Sequence, residues 1–269
     1  MFTDKLKLIR RNKLFWWQPK DGPCNVGDEL SREVVNQMLG LKSAELMSVK
    51  NTKRMLAIGS VMHFARTGDC IWGTGVNGKN SASDHIFQDL DVRAVRGPLT
   101  RGALSKKGIS VPEIYGDPAI LTPLFYDQDL LIDRADFRKG KPAVIPHMRD
   151  EAELSKLSQE VEVISVRQKP ADFIRQILLS EFVISSSLHG VVLAEAYGVP
   201  AVLVLPKSDE TQFKYDDYYQ GTGRDGAMPV ESFETALNSE LITPPNFYNY
   251  QRGLIKSFPF DIFRLNSSK

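Results

Sequence analysis

The sequence predicts an α/β fold with parallel sheets, divided into two Rossmann-like lobes. Short apolar runs alternate with segments of helical apolar spacing, and this alternation is typical of parallel βαβ units. It stops in a stretch rich in proline, aspartate and basic residues and then starts again. The 269 residues suffice for two such units. We expect an N-terminal lobe over 1–125, a linker over 126–141, and a C-terminal lobe over 142–269 whose tail packs back onto the body.

The first lobe contains five apolar runs that predict strands: Leu14–Trp17, Met55–Ile58, Cys70–Trp72, Val92–Val95 and Glu113–Tyr115. Asp28–Leu39 has apolar residues at helical spacing and stops at Gly40, as a helix would. A second helix is predicted from Pro98 towards Gly108, because proline is favoured in a first helical turn.

The second lobe repeats the pattern with four predicted strands and three predicted helices. The strands are Ala143–Ile145, Val161–Val166, Phe182–Ile184 and Ala201–Leu205. The helices are Glu151–Gln159, Pro170–Leu179 and Val191–Tyr197. The aromatic and apolar residues of Tyr248–Phe263 have roughly helical spacing, which suits a tail that packs onto the body.

Composition narrows the function classes. A net charge of +1 argues against a nucleic-acid partner held by a broad basic surface. Two cysteines, Cys24 and Cys70, form no CxxC and no spaced framework, which argues against a zinc ribbon or a disulfide scaffold. The sequence has no HExxH motif and no carboxylate–histidine cluster with metal spacing, so we expect no bound metal. We read no signal peptide and no membrane-spanning run, and we expect a cytoplasmic protein. The basic, aromatic N-terminus leaves open peripheral contact with the inner face of the cytoplasmic membrane.

The motif "SSSLHG" lies between a predicted buried strand and a predicted helix. Ligands of open α/β sheets bind at the carboxyl ends of strands, and a helix start favours an anion. Ser185, Ser186 and Ser187 supply hydroxyl donors, and Gly190 completes the turn. His189 supplies a ring that can move a proton near neutral pH. The alternative is that the serines only cap the helix and His189 only packs.

Other predicted strand ends carry further candidates. Asn25, Gly27 and Asp28 occupy a strand-to-helix turn that either caps the helix or surrounds a ligand, with Asp28 facing a sugar hydroxyl. Glycines at two more strand ends allow a ligand to approach the backbone: Gly59, Gly73 and Gly75. "GTGVNG" matches a dinucleotide motif in spacing, but the expected helix and acidic residue do not follow it.

Four basic or titratable residues at similar edges are candidates to hold an anion: Arg96, His147, Arg149 and Lys214. Arg96 precedes a predicted helix start, where a guanidinium suits a phosphate or carboxylate. Each of these segments has a structural alternative, such as an ion pair or a packing role.

In order and spacing, four motifs resemble the polysaccharide pyruvyl transferase family, and most of all its short bacterial members for exopolysaccharide assembly. The motifs are "NVGDEL", "RAVRGPLTRGAL" with "YGDPAIL", "ISSSLHGVVLAEAYGVPAV" and "KYDDYY". The resemblance implies a GT-B-like arrangement with a central cleft. It also implies transfer of the pyruvyl group of phosphoenolpyruvate to two hydroxyls of a sugar or lipid-linked oligosaccharide, giving a ketal and phosphate. No cofactor is implied.

For this reaction we expect His189 to act as the general acid or base, and Arg96, with Arg149 or Lys214 and the turn of residues 185–187, to hold the donor's anionic groups. The family's S-S-R-L-H-G motif falls on residues 185–190, and Ser187 stands where the family has arginine. Either Arg96, Arg149 or Lys214 replaces that cation, or the donor is held differently. Two rival functions stay open: a sugar-nucleotide glycosyltransferase of GT-B architecture, and a non-catalytic carbohydrate-binding assembly protein.

Overall fold

Two parallel β-sheets of four strands each form the frame of the molecule. The structure is a computed structural model that describes residues 14–19, 25–41, 53–151, 161–207 and 210–263. The predicted α/β class with two parallel sheets is confirmed. The predicted helix Glu151–Gln159 lies outside the described residues, apart from Glu151.

The first sheet has the strand order β1-β2-β3-β4, so that each strand pairs with its neighbour in sequence. Its strands are β1 (Leu14–Phe15), β2 (Met55–Leu56), β3 (Cys70–Trp72) and β4 (Asp91–Ala94). Helix α1 (Val26–Gly40) follows β1, and α2 (Pro98–Ser105) follows β4. The predicted fifth strand at Glu113–Tyr115 is corrected to a single parallel bridge between Val95 and Tyr115. Pro112, which has no N–H to donate, stands directly before it.

The second sheet has the order β6-β5-β7-β8. Its strands are β5 (Ala143–Ile145), β6 (Glu162–Val163), β7 (Val183–Ser185) and β8 (Ala201–Leu203). The helices of this half of the chain are α3 (Gln128–Leu131), α4 (Pro170–Leu179), α5 (Leu188–Ala196), α6 (Phe213–Gly221), α7 (Phe233–Leu237) and α8 (Tyr248–Ser257). Short 3-10 helices cover Met62–Phe64, Ala82–Asp84, Pro118–Leu124, Arg134–Asp136 and Phe260–Ile262.

Helix α5 begins three residues earlier than the apolar pattern predicts. Ser187 is its N-cap residue and His189 lies in its first turn, rather than in a loop. The apolar pattern missed this start because α5 is buried on nearly all sides, so its sequence does not separate into a polar and an apolar face. This placement fixes the histidine on a rigid element.

The two sheets share one apolar core. The 3-10 helix Pro118–Leu124 packs against both α1 of the first lobe and α5 of the second. A backbone hydrogen bond of 2.8 Å from Val26 N to Val166 O also joins the two halves. Ile132, in the predicted linker, is buried in the same core. The domain limits at 125 and 141 stay a prediction.

The C-terminal segment lies on the first sheet. Trp72 Nε1, in β3, donates to the backbone oxygen of Leu254 in α8 at 3.0 Å. The Phe258 ring meets the Trp72 ring edge-on, with 4.9 Å between centroids. Arg93 of β4 forms an ion pair with Asp261 at 2.8 Å. Residues from the chain's end therefore cover the sheet formed by its beginning.

Helix α6 also crosses to the first lobe. The Arg96 Nε donates to Asp217 Oδ2 at 3.0 Å, and both side chains are fully buried. The other Asp217 oxygen accepts from the backbone N of Thr100 at 2.8 Å, in the first turn of α2. Two buried charges of opposite sign thus join α2 to α6.

The described segments contain no helix with the length and apolar character of a membrane span.

We predict that Asp217→Asn lowers the free energy of unfolding by about 3–5 kcal/mol, because the Arg96 guanidinium stays buried without its counter-charge. Chemical denaturation measures this change. Asp261→Asn is the matched control: its carboxylate also pairs with arginine but is 62% exposed, so the loss is below about 1 kcal/mol. Equal losses in the two variants would contradict the buried-pair argument.

Candidate active site between the lobes

The carboxyl ends of strands from both sheets open onto one cavity of about 370 Å³. The first lobe contributes residues that follow β1, β2 and β3: Trp17, Asn25, Asp28, Gly59, Ser60, Val61, His63, Phe64, Asn77, Lys79 and Asn80. The second contributes residues that follow β5, β7 and β8: His147, Arg149, Ser187, Leu188, His189, Glu210 and Lys214. Binding at this edge is general for parallel α/β sheets.

Several sequence-predicted site residues meet in this cavity, although they are far apart in the chain. They are Asn25, Asp28, Gly59, His147, Arg149, Ser187, His189 and Lys214. This set includes the N-cap residues of two helices, Asn25 of α1 and Ser187 of α5. The N-termini of both helices therefore lie at the cavity. The dipole of each helix favours an anionic ligand at its N-terminus, although in α1 the N–H groups of Val26 and Gly27 are bonded to Val166 O and Asn25 Oδ1.

Other predicted residues lie behind the cavity wall. Ser185 Oγ accepts from Ser187 N at 3.0 Å, and Ser186 Oγ accepts from His147 N at 2.8 Å. These hydroxyls hold the two loops in place rather than face a ligand. The glycines allow close packing: a Cβ on Gly73, Gly75 or Gly190 would come within 2.4 Å of Pro118, Arg96 or Ser185 respectively.

Arg96 is placed differently from the expectation that it contacts a donor. Its side chain is 0% exposed and does not line the cavity. Besides Asp217, it donates to Ser60 Oγ at 2.6 Å and to the Val76 backbone oxygen at 2.6 Å. Its three nitrogens are thereby used inside the protein. Since Ser60 lines the cavity, Arg96 supports the cavity wall from behind.

His189 packs directly on the first turn of α1. A Cβ at Gly27 would lie 2.0 Å from His189 Nδ1, so only glycine fits there. On the other side of the ring, Nε2 lies 3.5 Å from Asp117 Oδ2. Both atoms are buried and have no hydrogen-bond partner among the described residues. Nδ1 thus packs against Gly27, Nε2 faces the Asp117 carboxylate, and the histidine borders the cavity.

Asp117 is held by its own backbone. Its Oδ1 accepts from Ala119 N at 3.0 Å and caps the 3-10 helix Pro118–Leu124, which leaves Oδ2 directed at His189. Asp117 was not among the predicted site residues, because Asp-Pro is an ordinary helix start. Only its place in "YGDPAIL" marked it.

A cluster of basic side chains surrounds Glu210. Its carboxylate accepts from Lys214 at 2.7 Å and contacts Lys79 closely, and His147 Nε2 lies 3.6 Å away. Burial raises the pKa of Glu210, but Lys214 and Lys79 outweigh it and lower that pKa to about 2. Burial and Lys214 lower the pKa of His147 to about 4, so its ring is neutral at pH 7. Sequence reasoning missed Lys79 and Glu210, which have no motif around them.

Asp28 is the second acidic side chain of the cavity. Burial raises the pKa of its carboxyl from 3.8 to about 6, against the opposing pull of His189 and Lys214. A carboxyl with a pKa of about 6 exchanges protons near neutral pH, as general bases do.

No group of three or more histidine, cysteine or acidic residues suited to a metal occurs within the described segments.

Fold and cavity together define a two-lobed parallel α/β protein with a basic cleft that contains a histidine–carboxylate pair. The chain belongs to the polysaccharide pyruvyl transferase family: residues 49–208 match the family described as "Polysaccharide pyruvyl transferase". The resemblance of the four motifs to this family is thereby confirmed.

Two relatives show how far the similarity extends. "Succinoglycan biosynthesis protein ExoV" of Rhizobium meliloti (strain 1021) is 26% identical over 238 residues, which cover 84% of this chain and 70% of that protein. "Uncharacterized protein L143" of Acanthamoeba polyphaga mimivirus is 25% identical over 206 residues, covering 72% and 67%. No solved structure matches the chain significantly.

We predict that Asp28→Asn raises the free energy of unfolding at pH 7.5 by about 3 kcal/mol but not below about pH 4. The folded-state pKa exceeds the unfolded one, so the ionised carboxyl destabilises the fold increasingly as the pH rises from about 4 to 6. Denaturation of both proteins across this range measures the effect.

Glu210→Gln serves as the control of opposite sign. The Glu210 pKa is depressed in the fold, so its stabilising contribution is present above about pH 4.5 and is lost as the pH falls towards 2. The Gln variant should therefore lose stability mainly at neutral pH. The same pH response in both variants would refute the assignment for Asp28.

Proposed function

We propose that the protein transfers the pyruvyl group of phosphoenolpyruvate to two hydroxyls of a saccharide, forming a cyclic ketal and releasing phosphate. The observation that carries this proposal is the pairing of His189 with Asp117 beside a basic cavity between the lobes. Membership of the family supports the class of reaction. The relative named for succinoglycan biosynthesis supports an exopolysaccharide precursor as the acceptor.

The donor combines a carboxylate with a phosphate that carries about 1.5 to 2 negative charges. Three cationic side chains line the cavity, namely Lys79, Arg149 and Lys214. The N-termini of α1 and α5 add partial positive charge. We assign these groups to the donor, so Arg149 and the two lysines take the place of the arginine that Ser187 replaces. Arg96, which is fully enclosed, holds Ser60 and Asp217 instead.

The reaction needs one proton to reach the donor's methylene carbon and one to leave each acceptor hydroxyl. In our proposal, protonated His189 gives a ring proton to the methylene carbon while the first hydroxyl oxygen bonds to the central carbon. Asp28 accepts the proton of that hydroxyl. The second hydroxyl oxygen then displaces phosphate from the same carbon, and its proton leaves with the phosphate. The proton on Asp28 returns to the imidazole, so atoms and charges balance.

Asp117 is a positioning residue in this scheme. Its Oδ2 faces Nε2 and favours an imidazole that carries a proton there. Asp28 suits the role of base because its pKa of about 6 leaves it mostly ionised at pH 7. We place the reaction in the cytoplasm, where phosphoenolpyruvate is formed, and at the inner membrane face when the acceptor is lipid-linked.

The direct test is incubation with phosphoenolpyruvate and a panel of saccharides. We expect phosphate release only when an acceptor is present, and a product heavier than the acceptor by pyruvate less one water. Consumption of a nucleotide sugar in place of phosphoenolpyruvate would replace this proposal with a glycosyltransferase. Acceptor binding without turnover of either donor would favour a non-catalytic role.

We predict that His189→Ala lowers kcat by about 10²- to 10⁴-fold, because positioned proton transfer typically contributes that factor. Steady-state phosphate release measures it. His85→Ala is the matched control, since His85 is also buried but stacks on Phe87 away from the cavity. Turnover near the original rate in the His189 variant would remove the imidazole from the chemistry.

We also predict that Arg149→Ala raises the donor KM by about 10- to 100-fold, because a hydrogen bond to a charged group contributes about 1.5–3 kcal/mol. Arg134→Ala removes an arginine that is 80% exposed and paired with Asp129, and should leave the donor KM unchanged. A donor KM that is insensitive to Arg149 would show that other cations hold the donor.

A further inference from the structure

The first-lobe wall of the cavity carries a cluster of aromatic side chains. Trp17, His63 and Phe64 all line it, and they follow the carboxyl ends of β1 and β2. On the opposite wall, the second lobe supplies Arg149 and Lys214. The aromatic rings therefore lie on the first-lobe side, and of the three cations assigned to the donor, only Lys79 comes from that side.

Phe64 is exposed at this wall although it is strongly apolar. Its side chain is 39% exposed, and its ring lies 4.0 Å from the His63 ring and 5.2 Å from the Phe15 ring, measured between centroids. Aromatic side chains that line a cavity beside a few polar groups are typical of sites for small ligands. A ligand that covers the ring gains the free energy of removing it from water.

The Phe64 backbone is fixed in place. It ends the 3-10 helix Met62–Phe64, and its oxygen accepts from Arg54 Nη2 at 3.0 Å. The same Arg54 nitrogen lies 2.6 Å from Asp69, in an ion pair that is largely buried. The ring is thus presented by a rigid segment, so little conformational entropy is lost when a ligand covers it.

Neutral side chains lie beside the aromatic rings on this wall, while Lys79 of the same segment pairs with Glu210 of the second lobe. Asn77 and Asn80 carry amides, and Asn77 donates to Asn80 Oδ1 at 2.6 Å. Burial, with a smaller effect of the His85 charge, lowers the pKa of His63 and so favours its neutral ring. Aromatic faces beside neutral amides suit a ligand with an apolar face and a hydroxylated edge, which is the chemistry of a pyranose.

The proposed base lies next to this wall. Asp28 Oδ1 is 3.4 Å from the position of a Cβ on Gly59, and Gly59 opens the segment that ends with Phe64. Gly59 has φ +100°, a conformation that suits glycine and turns the chain at this point. Asp28 and Phe64 therefore line the same first-lobe side of the cavity.

We propose that a neutral pyranose ring of the acceptor stacks on Phe64 and Trp17, opposite the cationic wall that takes the donor. This assignment rests on the proposed function and names the part of the cavity that selects the acceptor. It explains why one cavity contains both an aromatic wall and a cationic wall.

The test uses the full chain and methyl glycosides of galactose, glucose and mannose as probes. Saturation-transfer NMR on the wild type should show binding of at least one probe, with the strongest signals from the ring C–H protons. Phe64→Ala should weaken that binding about tenfold, as loss of an apolar contact worth about 1.4 kcal/mol implies. Phe64→Trp should retain it.

The matched control is Tyr248→Ala, which removes an aromatic ring that is 65% exposed outside the cavity. It should leave saccharide binding unchanged, and thermal unfolding checks that each variant is folded. With phosphoenolpyruvate present, Phe64→Ala should raise the acceptor KM about tenfold and leave the donor KM unchanged.

The outcomes separate the two proposals. If pyruvyl transfer occurs but neither Phe64→Ala nor Trp17→Ala alters acceptor binding, the aromatic subsite is refuted and the function stands. If saccharides bind through these rings without transfer from phosphoenolpyruvate, the subsite stands and the function is refuted. Failure of every probe to bind the wild type overturns the subsite.

Discussion

The packing of the His189 imidazole on Gly27 is the contact on which the site depends. It brings the first turn of α5, from the second lobe, against the first turn of α1, from the first. Because no side chain at position 27 intervenes, both helix N-termini open onto the same cavity. The same contact sets the depth of the imidazole, so that Nε2 reaches Asp117 while the ring still borders the cavity.

Charge balance in the cavity follows from this arrangement. The lysines at 79 and 214 come from different lobes and converge on Glu210, whose carboxylate they hold ionised. Without the Glu210 carboxylate, the ammonium groups of the two lysines would repel each other. Burial acts differently on Asp28, whose pKa moves towards neutrality because its cationic neighbours compensate only in part. Two acids in one cavity thereby acquire different proton affinities, which acid–base chemistry requires.

Buried paired charges and hydrogen bonds hold the wall of the cavity in place. Arg96 and Asp217 form a fully buried pair that connects α2 and α6, and α6 carries Lys214. The serines at 185 and 186 fix the neighbouring loops through hydrogen bonds to backbone groups. Residues that the motifs highlight therefore divide into those that face the cavity and those that hold it in shape. The family's motifs contain both kinds, so a motif alone does not separate them.

The sequence by itself determined the fold class, most strands, and the edge of each sheet that carries the candidate site residues. Strands β3 and β5 and helix α4 have the predicted limits, because buried parallel strands are continuous apolar runs and Pro170 marks a helix start. The start of α5 was missed because a helix buried on all sides lacks polar periodicity. Tertiary structure alone decided that Asp117, Lys79 and Glu210 join the cavity and that Arg96 does not. Those placements depend on contacts between residues more than 70 positions apart, such as Asp117 with His189, and local sequence carries no record of such distances.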